Sequence, residues 1–268
     1  MKIIDVHTHT FPDKVALNCV PQMAETAGIK EAIDGRSCSL LDSMDCAGID
    51  CSWLQPVATN PVQVDKINLH TEKLRSERLI PFGAVHPDYE DLPGLIRDLS
   101  KRGFPGVKIH PEYQKINPND KRWFPLYETL IEEKMIALFH AGRDIGIPTL
   151  NSTPCDFVEL HDRFPEMITI LAHMGGFDQW KEVAEYIAGR DLYLDTSYSL
   201  GHFPDEDFIA LVKQHGVQRI LFGTDSPWAD QKTDMDYLQS LSFSEDELKD
   251  ILGGNAERLM IEHSDSTQ

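Results

Sequence analysis

Ile3-Ile4-Asp5-Val6-His7-Thr8-His9 near one end of the chain and Ile220-Leu221-Phe222-Gly223-Thr224-Asp225-Ser226 near the other decide the reading of the fold. Each is a short apolar run that closes on residues with chemistry to offer. Between them the same kind of run recurs, separated by longer amphipathic segments, as expected for parallel strands joined by helices. The runs are Ile3–Val6, Cys51–Val57, Leu79–Val85, Gly106–His110, Ile136–His140, Ile168–His173, Leu192–Thr196 and Ile220–Asp225. Eight strands close a barrel, and 268 residues match the roughly 250 of an eightfold β/α repeat. The expected fold is a (β/α)8 TIM barrel of the α/β class, with 1–268 forming one domain.

The connecting segments carry helix signals. Thr153-Pro154 with Asp156, and Ser244 with Glu247, read as capping boxes, and Gly103, Gly189 and Gly216 as stops. Leu126, Leu130 and Ile131 share one helical side, as do Phe208, Leu211 and Val212. Residues 10–50 break the rhythm: they hold two helical stretches and a joint around Gly28–Gly35, more than one connection needs, and are expected to form a rim or lid. Residues 262–268 are expected to be a frayed tail.

Composition narrows the function. Lys+Arg 25 against Asp+Glu 44 gives a net charge of −19, which repels a phosphate backbone or an anionic bilayer, so neither nucleic acid nor membrane is an expected partner. No apolar run approaches the roughly 18 residues of a membrane span. Asp5 and His7 interrupt the start before a signal peptide could form, so the expected location is the cytoplasm. Five cysteines without a CxxC pair suit reduced thiols, leaving any metal to nitrogen and oxygen donors. Homo-oligomerisation is left open.

His7 and His9, two apart at a strand end, point to the same face. Alone, such a pair also occurs on solvated strands. His140 and His173 each end a further apolar run, and Asp225 ends the eighth, which barrel closure sets beside the first. Singly each histidine reads as a hydrogen-bonded strand cap. Together, four histidines and an aspartate at the strand ends where barrel enzymes build their sites make a cluster for a divalent metal, with zinc expected and manganese or iron as alternatives.

The chain resembles the amidohydrolase superfamily, in the amidohydrolase-2 branch that includes aminocarboxymuconate-semialdehyde-type decarboxylases. The resemblance covers essentially the whole chain. It rests on Asp5-Val6-His7-Thr8-His9, Gly106-Val107-Lys108-Ile109-His110-Pro111, Phe139-His140-Ala141-Gly142, Ala172-His173-Met174-Gly175-Gly176, Leu194-Asp195-Thr196-Ser197, Phe222-Gly223-Thr224-Asp225-Ser226-Pro227-Trp228 and Ile251-Leu252-Gly253-Gly254-Asn255-Ala256. It implies that His7, His9, His140, His173 and Asp225 form the metal centre, with Asp225 as the catalytic group handling a proton. That role agrees with the chemistry of a carboxylate beside a metal-activated water.

Lys108 and His110 share a strand face. Lys108 has three readings: a carboxylated bridge between two metals, an ammonium holding a substrate carboxylate, or a partner of Asp5 or another acid. His110, Arg143 and Trp228 are the other substrate-side candidates, with Tyr113 and Gln114 nearby. His70, His161, His215 and His263 read as surface residues. The expected activity is hydrolysis of a small amide, lactone or ester by metal-activated water. The alternatives are decarboxylation or hydration of a small unsaturated or aromatic acid, and a catalytically silent metal-binding barrel.

Overall fold

Parallel strands enclosed on both faces read as unbroken apolar runs, and β1 (Ile4–Thr8) and β2 (Cys51–Leu54) are buried along their whole lengths. The computed structural model describes residues 2–264. After β3 (Leu79–Pro81) and β4 (Gly83–Ala84) come β5 (Gly106–Ile109), β6 (Ile136–Phe139), β7 (Thr169–Leu171), β8 (Tyr193–Asp195) and β9 (Ile220–Leu221). All neighbours pair in parallel, in the orders β1-β2-β3 and β4 through β9. The expected third strand is divided at Phe82, because Pro81 has no N–H to give the ladder. Phe82 still donates to Leu54 O at 3.0 Å, which keeps the wall continuous.

Between first and last strands the barrel closes through Val6 N to Phe222 O at 2.9 Å, Asp225 N to His7 O at 2.8 Å and His9 N to Ser226 O at 2.6 Å. The fold is the (β/α)8 barrel expected from the eight runs. Asp5 stitches this seam. Its fully buried carboxylate accepts from Thr224 Oγ1 at 2.6 Å, Gln231 Nε2 at 2.8 Å and the backbone N–H groups of His7 and Thr224 at 3.1 Å. Burial raises its pKa to about 6 against these bonds.

Alternate strand residues part into two cores. Val107, Ile109, Ala137 and Phe139 pack with the helices, whereas Ile136, Leu138, Trp53 and Phe82 pack with one another inside the wall. Lys108 and His110 follow the inward alternation. The register of β1 on β2 slips between Asp5↔Ser52 and Thr8↔Leu54. This bulge lets Ile4 and Val6 join the inner core while His7 and His9 still reach the mouth. At Gly223 a side chain would press a Cβ to 2.9 Å from His7 Cβ, so only glycine lets the seam close here.

In residues 10–50, α1 (Asp13–Ala27) and α2 (Ser37–Ala47) take different parts. α2 buries Leu40 and Met44 and packs on the helix Gln231–Ser240, as an ordinary crossover would. α1 is the extra element: it buries Ala16, Val20 and Ala24 and turns Gln22, Met23 and Thr26 to the barrel mouth. Both capping boxes form. The last helix, Asn255–Ser264, runs into the expected tail, so 262–264 are helical, and 265–268 lie outside the described residues. Among the described residues no helix is long and apolar enough to cross a membrane. His215 corrects the surface reading: it is buried, with Nε2 on Leu192 O at 2.8 Å.

Candidate metal centre

All five metal-ligand candidates and all four substrate-side candidates, Lys108, His110, Arg143 and Trp228, border one cavity of about 520 Å³. Strand ends place the groups, and the backbone aims them. His173 (φ 58°) and Asp225 (φ 69°) occupy the left-handed region that non-glycine residues avoid, a strain that accumulates at functional sites. Gly142, next to His140 in the chain but one, has φ +86° and lies so close to Phe177 that a Cβ would meet its N at 2.3 Å.

The hydrogen-bond partners fix the ring tautomers. His7 Nδ1 faces Asp195 Oδ2 at 2.8 Å, His9 Nδ1 faces Gln55 O at 2.7 Å, and His173 Nδ1 faces Ser197 O at 2.9 Å. Each partner is an acceptor, so each Nδ1 carries the hydrogen and each Nε2 keeps a bare lone pair. Such outer partners are the usual means of orienting imidazole for a metal. His9 Nε2 then faces Asp225 Oδ1 at 2.9 Å, and His7 Nε2 faces the same oxygen at 3.4 Å. Lone pairs set against a carboxylate repel unless a cation lies among them. Donor atoms of His7, His9 and Asp225 lie within 4.8 Å of one another, a set that fits a divalent ion.

His140 and His173 border the cavity next to this trio. His173 Nε2 lies 2.9 Å from His140 Nδ1, and His140 Nε2 is buried without a partner. His140 instead groups with His110 and Asp144, whose donor atoms also lie within 4.8 Å. Its ring stacks on His110 with centroids 4.0 Å apart.

Lys108 is buried, with Nζ 2.9 Å from His7 Nε2. The pairing with Asp5 is not formed, since Asp5 is taken up at the seam. Burial lowers the Lys108 pKa to about 8 against the pull of Asp195 and Asp225. Burial, followed by the Lys108 charge, brings His7 down to about 4. Burial likewise depresses His110 and His140 well below the ordinary range. Burial works to raise Asp225, but the His9, His7 and His173 rings around it outweigh burial and hold the carboxyl well below the usual range.

Arg143 is exposed at the mouth, its guanidinium 3.4 Å from Asp178, and Trp228 is half-buried. His70, read as a surface residue, is half-buried and lines the cavity. Sequence reasoning gave no role to Asp195, Ser197 or Asp144. Asp195 is fully buried. Burial opposes its charge, but His7, His173 and Ser197 prevail and hold its pKa at about 2. An acid that ends a buried strand ahead of Thr196-Ser197, as Asp225 ends its own, was the available signal.

The chain is 32% identical to the gamma-resorcylate decarboxylase of Polaromonas sp. (strain JS666) over a stretch covering 37% of this chain and 36% of that one, so little over a third of the relative's length is matched. An uncharacterised TIM-barrel protein of Bordetella bronchiseptica has a TM-score of 0.79 at 19% identity, covering 98% of this chain and 100% of that one. A dihydroxybenzoic acid decarboxylase of Polaromonas sp. JS666, with bound manganese and 2-nitroresorcinol, has a TM-score of 0.73 at 18% identity, covering 97% of each chain. These relatives correct the expected hydrolase activity: where they carry a named activity it is decarboxylation of aromatic acids, the alternative raised beside it. The sequence does not separate the two, since strand-end ligands are common to both chemistries and no residue type distinguishes them. The pattern of the amidohydrolase family matches residues 4–260, nearly the whole chain, and with the motifs and the barrel it establishes that this chain belongs to the amidohydrolase family.

Proposed function

We propose that the chain is a metal-dependent decarboxylase of small hydroxylated aromatic acids, with manganese rather than the zinc expected from sequence. The observation that carries the reading is the convergence of His7 and His9 Nε2 on Asp225 in a cavity of about 520 Å³. The names and bound ligands of the relatives support the reaction and the metal. The same reading keeps His140 and His173 as further nitrogen donors, supported by the unpartnered Nε2 of His140.

When bound, the ion supplies a Lewis acid for the substrate's carboxylate or phenol oxygen. Asp225, held as a carboxylate, takes the phenolic proton and returns it to the ring carbon that carried the carboxylate. The bond from that carbon breaks, its electron pair stays with the ring, and carbon dioxide leaves. Lys108, read as an uncarboxylated ammonium, and His110 hold the substrate's oxygens from the facing strand, and Arg143 offers a charge at the rim. Trp228 and the apolar wall, which includes Phe11 and Ile147, exclude water.

Protein reconstituted with manganese should release carbon dioxide from 2,6-dihydroxybenzoate or 5-carboxyvanillate in step with the decarboxylated ring. Manganese-loaded protein that leaves both acids intact overturns the assignment.

A further inference from the structure

The cavity does not end at the metal-ligand candidates. It continues outward between α1 and α3 (Val64–Glu72), where each helix gives one stripe of side chains. α1 contributes Gln22, Met23 and Thr26, and α3 contributes Lys66, Ile67 and His70. Residues four apart on a helix lie on the same face, so Lys66 and His70 stand one above the other in the cleft. A volume of about 520 Å³ falls among cavities that enclose ligands well beyond a single ring.

We propose that this outer cleft is a second subsite, which takes an anionic substituent at the far end of the aromatic acid through Lys66 and His70. The inference rests on the decarboxylase reading and names its substrate class: a ring acid bearing a second carboxylate on a short arm.

Two observations point to such a ligand. The Nε2 of His70, a residue that lines the cleft, is buried without a partner, and an unmet polar atom of this kind costs free energy that a ring turned toward an oxygen in the cleft would recover. Lys66 forms no ion pair among the described residues, although the chain carries 44 acidic residues. The two acids lining the cavity are Asp144 and Asp225, and both belong to its inner end beside His110 and His9. Arg143 is already opposite Asp178. Burial, followed by the Lys73 charge, lowers the His70 pKa against the pull of Asp13. The ring therefore meets the ligand as a neutral hydrogen-bond donor, with Lys66 supplying the charge.

The test is calorimetric titration of the metal-loaded protein with 3-(4-carboxyphenyl)propanoate and with 4-propylbenzoate, which differ in the end of the arm. The diacid should bind about two- to fivefold more tightly, the range of an exposed charge pair. Lys66→Ala should abolish that preference, His70→Phe should reduce it, and Lys66→Arg should keep it. Equal binding of the two acids to the unmodified protein overturns the subsite and leaves the decarboxylase reading standing. Binding of neither overturns the subsite, while carbon dioxide release from 2,6-dihydroxybenzoate decides the decarboxylase reading separately, and a preference that survives Lys66→Ala overturns the subsite as assigned.

Discussion

The two sides of the cavity floor hold the same inventory, two histidines and an aspartate, and put it to different use. On the side of His7, His9 and Asp225, acceptors behind the rings claim the Nδ1 hydrogens and turn bare Nε2 atoms inward. On the side of His110, His140 and Asp144, the Tyr113 N–H donates to His110 Nδ1 at 3.3 Å, so the ring hydrogen sits on Nε2, facing Asp144 Oδ2 at 3.5 Å. His110 thus presents a donor where its counterparts present lone pairs. Residue type alone does not make a ligand. The atom behind the ring decides which nitrogen is offered.

The largest effect that would break this comparison is on metal content. His7→Ala with His9→Ala should abolish bound metal in elemental analysis, whereas His110→Ala should retain it. Equal loss from both variants would erase the distinction between the two sides. Next in size, Asp225→Asn should lower kcat for decarboxylation by about two to four orders of magnitude, with most of the metal kept. Asp144→Asn on the other side should cost far less.

Asp195→Asn tests the outer partner directly. The donors on Oδ1, His173 N and Ser197 N, hold the amide oxygen there and leave the asparagine NH2 facing His7 Nδ1, so the tautomer is no longer fixed and metal affinity should fall about 10- to 100-fold in a chelator competition. The smallest effect lies at Lys108, between the two sides. Its pKa of about 8 in the fold, against 10.5 as the ordinary value, means that the folded state binds fewer protons between those limits. The native protein is therefore penalised below pH 8 and relieved as pH rises toward 10.5. In the metal-free protein Lys108→Met should raise stability at pH 7 by about 1–3 kcal/mol, a gain that shrinks above pH 8 in urea denaturation.

The parts of this site that were legible in sequence are those set by chain periodicity. His7 and His9 share a face because they are two apart, and Asp225 lies beside them because the eighth strand meets the first. The seam bonds an amide of residue 225 to a carbonyl of residue 7. What periodicity could not carry is the layer behind the rings. Two of its acceptors, Gln55 O and Ser197 O, are backbone atoms without any side-chain signature, and Asp195 meets His7 across 188 residues. The bulge in β1 was equally hidden, since it depends on how the strand registers against β2. The different duties of α1 and α2 follow from packing, which two similar amphipathic stretches do not reveal.

The seam has a consequence for the order in which the chain is made. Its first strand leaves the ribosome carrying His7, His9 and the Asp5 carboxylate. Their partners Thr224, Asp225 and Gln231 follow more than two hundred residues later. A chain released before the last strand carries all four imidazoles and the Asp5 carboxylate, but neither a shut barrel nor the Thr224, Asp225 and Gln231 side chains that meet them. The event that completes the fold is therefore also the one that brings Asp225 to His7 and His9, and a truncated chain lacks that cluster.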